Sequence, residues 1–275
     1  MEPIHFFKMS GSGNDFIIVD NRSQIVDEKK LPQLIKGSCR RKLSVGADGF
    51  ILIEASEKDD FRWRFFNADG SQAEMCGNGA RCAARFAFLN QIAGAEMTFQ
   101  TDVGAVNAKI QDDRVKVSMP NPTGLKLDFS IALKEGPLTV SSVNTGVPHV
   151  VVIKDQVEDL DVFSLGREIR FLQDFTPAGT NANFICPTGD GGIAIRTYER
   201  GVEDETLACG TGSIASAIVS ARKLNLASPV RVRTRGGENL TVYFSEKGGI
   251  FSDIFLEGDA RVVYEGILWE EAWIS

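Results

Sequence analysis

The sequence predicts an α/β (α+β) chain of two pseudo-symmetric domains, each a curved antiparallel sheet or barrel around one central helix. Three observations predict it. First, Cys76-Gly77-Asn78-Gly79 and Cys209-Gly210-Thr211-Gly212 repeat one Cys-Gly-x-Gly turn, 209 − 76 = 133 residues apart. Second, Gly13 and Gly146, Gly46 and Gly179, Thr101 and Thr234, and Gly104 and Gly237 keep that same offset. A set in register at one domain-sized spacing indicates a tandem duplication. Third, each turn runs into a nearly all-apolar helical stretch, Ala83–Leu89 or Ile214, Ala217, Ile218 and Ala221, among many short strands. A helix without a polar face must be buried. The domains are expected at 1–122 and 123–258, with 259–275 returning to pack on the first. A pseudo-twofold axis is expected to relate the halves and to bring the two cysteines face to face across a cleft.

Composition bounds the functions open to such a chain. With 275 residues, each half can enclose a core of its own. Hydrophobic residues make up 43% and charged residues 24%, as in ordinary globular chains. A net charge of −7 and a pI of about 5.1 argue against nucleic acid, which calls for a basic face. The opening Met1-Glu2-Pro3-Ile4-His5 lacks a basic and an apolar region, so no signal peptide is expected. No apolar run reaches the ~18 residues of a membrane span. Five cysteines, an odd number, fit a reducing cytoplasm better than a disulfide framework. The expected partner is a small molecule, with a monomer and a homodimer both open.

In chain order, Met9-Ser10-Gly11-Ser12-Gly13-Asn14-Asp15-Phe16 is a glycine loop feeding the apolar strand 17–19. No Gly-Lys-Ser follows and no GxGxxG register fits, so the loop reads as a polar tip presenting Asn14. Residues 27–43 read as a solvated, basic-faced helix. Gly46–Phe50 turns into a strand at 51–53, and Phe61, Trp63 and Phe65 alternate along a half-buried strand. That strand ends in the turn Asn67-Ala68-Asp69-Gly70. Cys82 lies about 600° round a helix from Cys76 and is expected to pack internally. Neither cysteine has CxxC spacing and the chain has two histidines, which argues against a zinc site. Strands are expected at 105–111 and 115–119, before a linker at Pro120-Asn121-Pro122-Thr123-Gly124.

The second half repeats the plan. Asn144-Thr145-Gly146-Val147-Pro148-His149 leads into 150–153, and Gly179-Thr180-Asn181-Ala182-Asn183-Phe184 stands where Gly46–Phe50 stood. The strand Ile193–Tyr198 ends at Glu199-Arg200-Gly201, before Cys209. Strands at 230–234, 240–244 and 251–257 close the unit.

Two thiols at two helix starts suggest a chemistry. Unpaired N–H groups and the helix dipole favour a thiolate there, by up to ~2 kcal/mol, against an ordinary cysteine pKa of ~8.5. Acid–base groups on opposite sides of a substrate suit removal of a proton from one face and its return to the other, which inverts a carbon. The backbone N–H groups at Gly77-Asn78 and Gly210-Thr211 can hold a carboxylate and stabilise the charge of a carbanion. This scheme needs no cofactor and no metal.

Ser12–Phe16, Phe66–Ser71, Cys76–Cys82, Tyr198–Gly201 and Glu205–Gly212 resemble the diaminopimelate epimerase family, over essentially the whole chain. The resemblance implies interconversion of LL- and meso-diaminopimelate, in lysine and cell-wall biosynthesis, without pyridoxal phosphate. It implies Cys76 and Cys209 as the two bases, with His149 and Glu199 tuning the thiols. It implies Asn14, Asn67, Asn181, Glu199 and Arg200 as substrate contacts. Three positions depart from the family pattern: Val147 replaces an Asn, Gly49 replaces a frequent Gln, and the turn 201–205 is one residue longer. Loss of two side chains that could reach the ligand leads to an expectation of relaxed specificity, extending to acidic amino acids such as glutamate. The alternatives are a racemase of another amino acid on the same fold, a thiol redox enzyme using the same cysteines, and an amino-acid-binding protein.

Overall fold

The computed structural model describes residues 3–73 and 75–274. It divides into two compact units, Met1–Ser118 with Gly258–Ser275, and Met119–Glu257.

In the first unit, β1 (Ile4–Gly11) and β2 (Asn14–Asp20) form a hairpin with Gly11 paired to Asn14. Its two-residue loop holds Ser12 at φ 56° and Gly13 at φ 85°, the left-handed pair that matches strand twist. Helix α1 (Leu31–Ser38) leads to β3 (Gly49–Glu54), parallel to β2, and β4 (Phe61–Asn67) returns antiparallel to β3. After β5 (Gln72–Ala73) comes α2 (Gly77–Leu89), then β6 (Glu96–Thr101), parallel to β4. The strands β7 (Gly104–Gln111) and β8 (Arg114–Ser118) finish an antiparallel meander.

The second unit begins with a hairpin of β9 (Thr123–Leu133) and β10 (Gly136–Asn144), followed by β11 (Pro148–Ile153). It then repeats the order: α3 (Val162–Arg170), β12 (Asn181–Pro187), β13 (Ile193–Glu199), β14 (Asp204–Thr206) and α4 (Gly210–Lys223). The strands β15 (Val230–Arg233), β16 (Asn239–Lys247) and β17 (Ile250–Asp259) follow. Here β11 is parallel to β12 and β13 to β15, the counterparts of the two parallel pairs of the first unit. The central helices start at Gly77 and Gly210, again 210 − 77 = 133 residues apart. The last strand, β18 (Arg261–Leu268), belongs to the first unit and lies antiparallel to β1.

The sheets are mostly antiparallel, with parallel ladders where a helix makes the crossover that such a pair requires. Helix α2 packs on β1, β2, β3, β7 and β8. It is buried from Gly77 through Ala84 and at Phe86 and Ala87, and surfaces only in its last turn. Helix α4 is enclosed in the same way by β10, β11, β12, β13, β15 and β16.

One expected element is corrected. Residues 27–43 are not a solvated helix: α1 covers Leu31–Ser38 and buries Leu31, Leu34 and Ile35. Their i, i+3, i+4 spacing makes one apolar stripe, and it joins the core with Ile17, Phe50 and Trp273. The C-terminal segment presses so closely that a Cβ on Gly37 would lie 2.2 Å from the Trp273 carbonyl oxygen.

Candidate active site

Each Cys-Gly-x-Gly turn is a helix cap. Cys76 is the N-cap of α2 in extended conformation, φ −146° and ψ 114°, and its Sγ accepts from Gly79 N at 3.4 Å. Cys209 caps α4 in the same way, φ −120° and ψ 115°, with Gly212 N donating to Sγ at 3.4 Å. A sulfur thus takes the acceptor place that a Ser, Thr or Asp oxygen usually fills. An N–H aimed at sulfur and the positive end of the helix dipole both stabilise negative charge at that atom. The other cysteines differ. Burial pushes the Cys39 thiol up to about 12 and raises those of Cys82 and Cys186. Cys82 is wholly buried, as its position round the helix predicts.

In the first unit Asn14 opens β2 beside Cys76, whose Sγ–H donates to Asn14 Oδ1 at 3.6 Å. The Asn14 amide nitrogen donates to Asp48 Oδ2 at 2.9 Å. Asp48 in turn meets Arg41 at 2.8 Å, and Arg41 and Lys8 meet Asp15 at 2.6 and 2.7 Å. Burial by itself would raise the Asp15 carboxyl; the bonds from Arg41 and Lys8 overcome it and hold the group at about 2. Below the α2 cap lies Arg81, fully buried. It donates to Gly77 O at 3.3 Å, Asn78 Oδ1 at 3.1 Å, Ser12 Oγ at 2.9 Å and Asp259 O at 3.3 Å. One guanidinium therefore ties the β1–β2 turn, the first turn of α2 and the returning chain together. Asn67 is exposed and donates to Ser71 Oγ at 3.0 Å within its own turn.

Gly49 sits differently from the sequence expectation. A Cβ there would lie 2.6 Å from the Phe65 ring and 3.2 Å from Phe16. The space next to Gly49 is filled by aromatic side chains, so a longer residue has no open path to a ligand from this backbone.

In the second unit His149 on β11 stands in register with Asn181 on β12. His149 is fully buried, and burial, reinforced by the charge of Arg200, lowers its imidazole to about 3, so the ring is neutral. Asn181 is committed to backbone: Arg200 N donates to its Oδ1 at 2.8 Å, and its Nδ2 donates to Pro148 O at 3.0 Å. It thereby anchors the turn that carries Glu199 and Arg200. Thr206 Oγ1 donates to Glu199 Oε2 at 3.0 Å across the β13–β14 ladder, and Arg200 Nη1 donates to Ala178 O at 2.9 Å. Beside Cys209, Thr211 Oγ1 lies 3.5 Å from Sγ, and the Thr211 carbonyl accepts from Thr145 Oγ1 at 3.0 Å. Sequence reasoning missed Asp48, Asn183 and Thr206. Asn183 alone left a signal, since it shares a strand face with Asn181 two residues earlier.

The fold is that of solved structures from the racemase and phenazine-biosynthesis proteins. A Bacillus anthracis phenazine biosynthesis protein of the PhzF family superposes with a TM-score of 0.75 at 18% identity, covering 98% of this chain and 100% of its own. A probable proline racemase from Agrobacterium radiobacter gives 0.72 at 17% identity, covering 97% and 93%. Sequence gives the particular family. Residues 6–124 and 141–263 match the family described as diaminopimelate epimerase. Diaminopimelate epimerases of Aquifex aeolicus and Hydrogenobaculum are 44% and 45% identical, over 98% and 95% of this chain and 99% and 97% of theirs. The chain belongs to the diaminopimelate epimerase family. Among the described residues no helix is long and apolar enough to cross a membrane.

Proposed function

We propose that this chain interconverts LL- and meso-diaminopimelate by a two-base mechanism in which Cys76 and Cys209 are the acid and the base. One thiolate takes the α-proton while the other thiol gives a proton to the opposite face. The observation that carries this reading is the matched pair of N-cap cysteines, each with Sγ accepting the third amide of a buried helix. A thiol so placed can lose and regain a proton without a metal or an organic cofactor. The remaining backbone N–H groups at Gly77-Asn78 and Gly210-Thr211 suit the substrate carboxylate.

His149 and Glu199 serve as neighbours that tune the thiols, and Asn14, Asn67 and Arg200 as substrate contacts; Asn181 acts by holding the Arg200 turn. Arg200 suits a carboxylate because its fork binds two oxygens at once. Each of the two domains, 1–122 with 259–275 and 123–258, contributes one cysteine, and the enzyme works in a reducing, cytoplasmic setting. The test is incubation with LL-diaminopimelate in deuterated water under thiol reductant. Deuterium at the α-carbon with formation of the meso isomer is the expected result. No exchange with diaminopimelate, or exchange only with another amino acid, would replace this reading by a different racemase.

A further inference from the structure

Asn183 lies in the middle of β12, fully buried, and every polar atom of its side chain is engaged. Its Nδ2 donates to Val150 O at 2.8 Å and lies 3.1 Å from His149 Nδ1; its Oδ1 accepts from Thr197 Oγ1 at 3.0 Å. The Val150 carbonyl can only accept, so the amide cannot be turned the other way round. Both contacts of the nitrogen are therefore donations, and His149 Nδ1 must present a lone pair. A neutral imidazole that accepts at Nδ1 carries its proton at Nε2. His149 Nε2 is buried and has no hydrogen-bond partner among the described residues. A buried donor without an acceptor is costly, and such atoms mark places where a ligand or a charge completes the bond.

We infer that Asn183 is a positioning residue that locks His149 as the Nε2–H tautomer. His149 then offers a fixed N–H donor and cannot take up a proton at Nε2. The same amide also shapes the turn at Cys209: a Cβ on Gly212 would lie 2.4 Å from Asn183 Oδ1, so only glycine lets α4 start against it. One side chain thus sets the proton of His149 and seats the residue whose N–H caps Cys209. The tautomer follows from the hydrogen bonds alone. Its consequence, an N–H that stabilises an anion during inversion, rests on the epimerase reading above.

The chain has two histidines, which makes ring-nitrogen NMR of the full-length protein practicable, with His5→Gln to assign signals. The expected spectrum at neutral pH shows a pyridine-type Nδ1 and a pyrrole-type Nε2 for His149, with a coupling across the hydrogen bond between Asn183 Nδ2 and His149 Nδ1. A pyrrole-type Nδ1, or an imidazolium, would overturn the inference in the wild type without any variant of Asn183. Asn183→Asp keeps the shape but supplies only acceptors, so Nδ1 should become protonated. Diaminopimelate α-proton exchange should fall about 10- to 100-fold, the worth of one hydrogen bond to a charged group. Thr197→Val removes the donor to Oδ1 but leaves both N–H donations, and the His149 tautomer should persist. An unchanged tautomer in a folded Asn183→Asp would overturn the inference. The expected tautomer in a wild type that exchanges no diaminopimelate would support Asn183 and remove the epimerase reading.

Discussion

Asp48 holds Asn14 by its amide nitrogen at 2.9 Å, and in doing so turns the Asn14 oxygen to the Cys76 sulfur, 3.6 Å away. A carboxylate can only accept, so the orientation of the amide is decided by Asp48 and not by the thiol. Asp48→Leu should free the amide to rotate and lower the exchange rate by about tenfold, the low end for a hydrogen bond to a charged group. Stability should change little, because the Asp48–Arg41 pair is well exposed. Exchange kinetics alongside a thermal melt separate the two. A variant with full rate would make Asn14 a turn residue only.

The cysteines are helix caps as well as the proposed bases, and the two roles can be separated. Cys76→Ser and Cys209→Ser retain a cap acceptor but a far weaker acid and base. Each should keep the fold and lose epimerisation by about 10²- to 10⁴-fold. The Ala variants should lose the rate and, in addition, about 1 kcal/mol of stability from the missing cap. Full turnover by any single variant would end the two-base reading.

Gly49 should tolerate no side chain. Phe65 and Phe16 occupy the space of its Cβ, and overpacking of this kind costs about 1–3 kcal/mol. Gly49→Ala should therefore lower the urea midpoint clearly. If its melt overlays that of the wild type, the aromatic pair is free to shift and position 49 regains a possible part in specificity.

Position 147 carries what remains of the specificity argument. Val147 ends the turn 144–147, where its carbonyl accepts from Thr145 N at 3.2 Å. With an apolar side chain there, one fewer polar group is left unpaired by a shorter substrate. The wild type should exchange the α-proton of L-glutamate slowly, and Val147→Asn should suppress this while keeping diaminopimelate turnover. Absence of glutamate exchange in both proteins would make Val147 a packing change.

Acid should destabilise the protein in two overlapping windows. His149 takes its proton at about 3 in the folded chain against an ordinary 6.5, so below pH 6.5 the unfolded state binds the extra proton. Stability then falls from about pH 6.5 down to about 3, by up to ~1.4 kcal/mol per pH unit. The contribution of Asp15 is present above its ordinary 3.8 and is lost as pH falls through that value to about 2. Urea melts at pH 7, 5.5 and 4.5 should show the first loss, and His149→Gln should flatten it. An unchanged slope in His149→Gln would place the acid sensitivity elsewhere.

How much of this was legible in the sequence depended on the range of the interaction. The two Cys-Gly-x-Gly turns and the apolar helices behind them are local patterns, and they sit at the helix starts where the repeat put them. The inward orientation of Cys82 followed from helix geometry alone. The stripe Leu31, Leu34 and Ile35 was overlooked because Lys and Arg neighbours dominate residues 27–43, although three apolar positions suffice to bury a face. The β9–β10 hairpin was missed despite the alternation of Leu125, Leu127, Phe129, Ile131 and Leu133. Asp48 was invisible, and Asn183 showed only the strand face it shares with Asn181, for a different reason. Their partners are set by the parallel registers Phe16 with Gly49 and Val151 with Asn183, which pair strands some thirty residues apart. The space beside Gly49 likewise exists only once Phe65 is in place.

The pairing of β1 with β18 has a consequence for biosynthesis. Strand β1 lies along a strand made only after all of Met119–Glu257. Domains generally fold as they emerge, N-terminal first. Here the first unit is held open on one edge until β18 is made, directly after β17 completes the strands of the second. An uncovered strand edge invites pairing with other chains. A chain stopped between Asp259 and Arg261 therefore has a whole downstream half, and its upstream half is the aggregation-prone part.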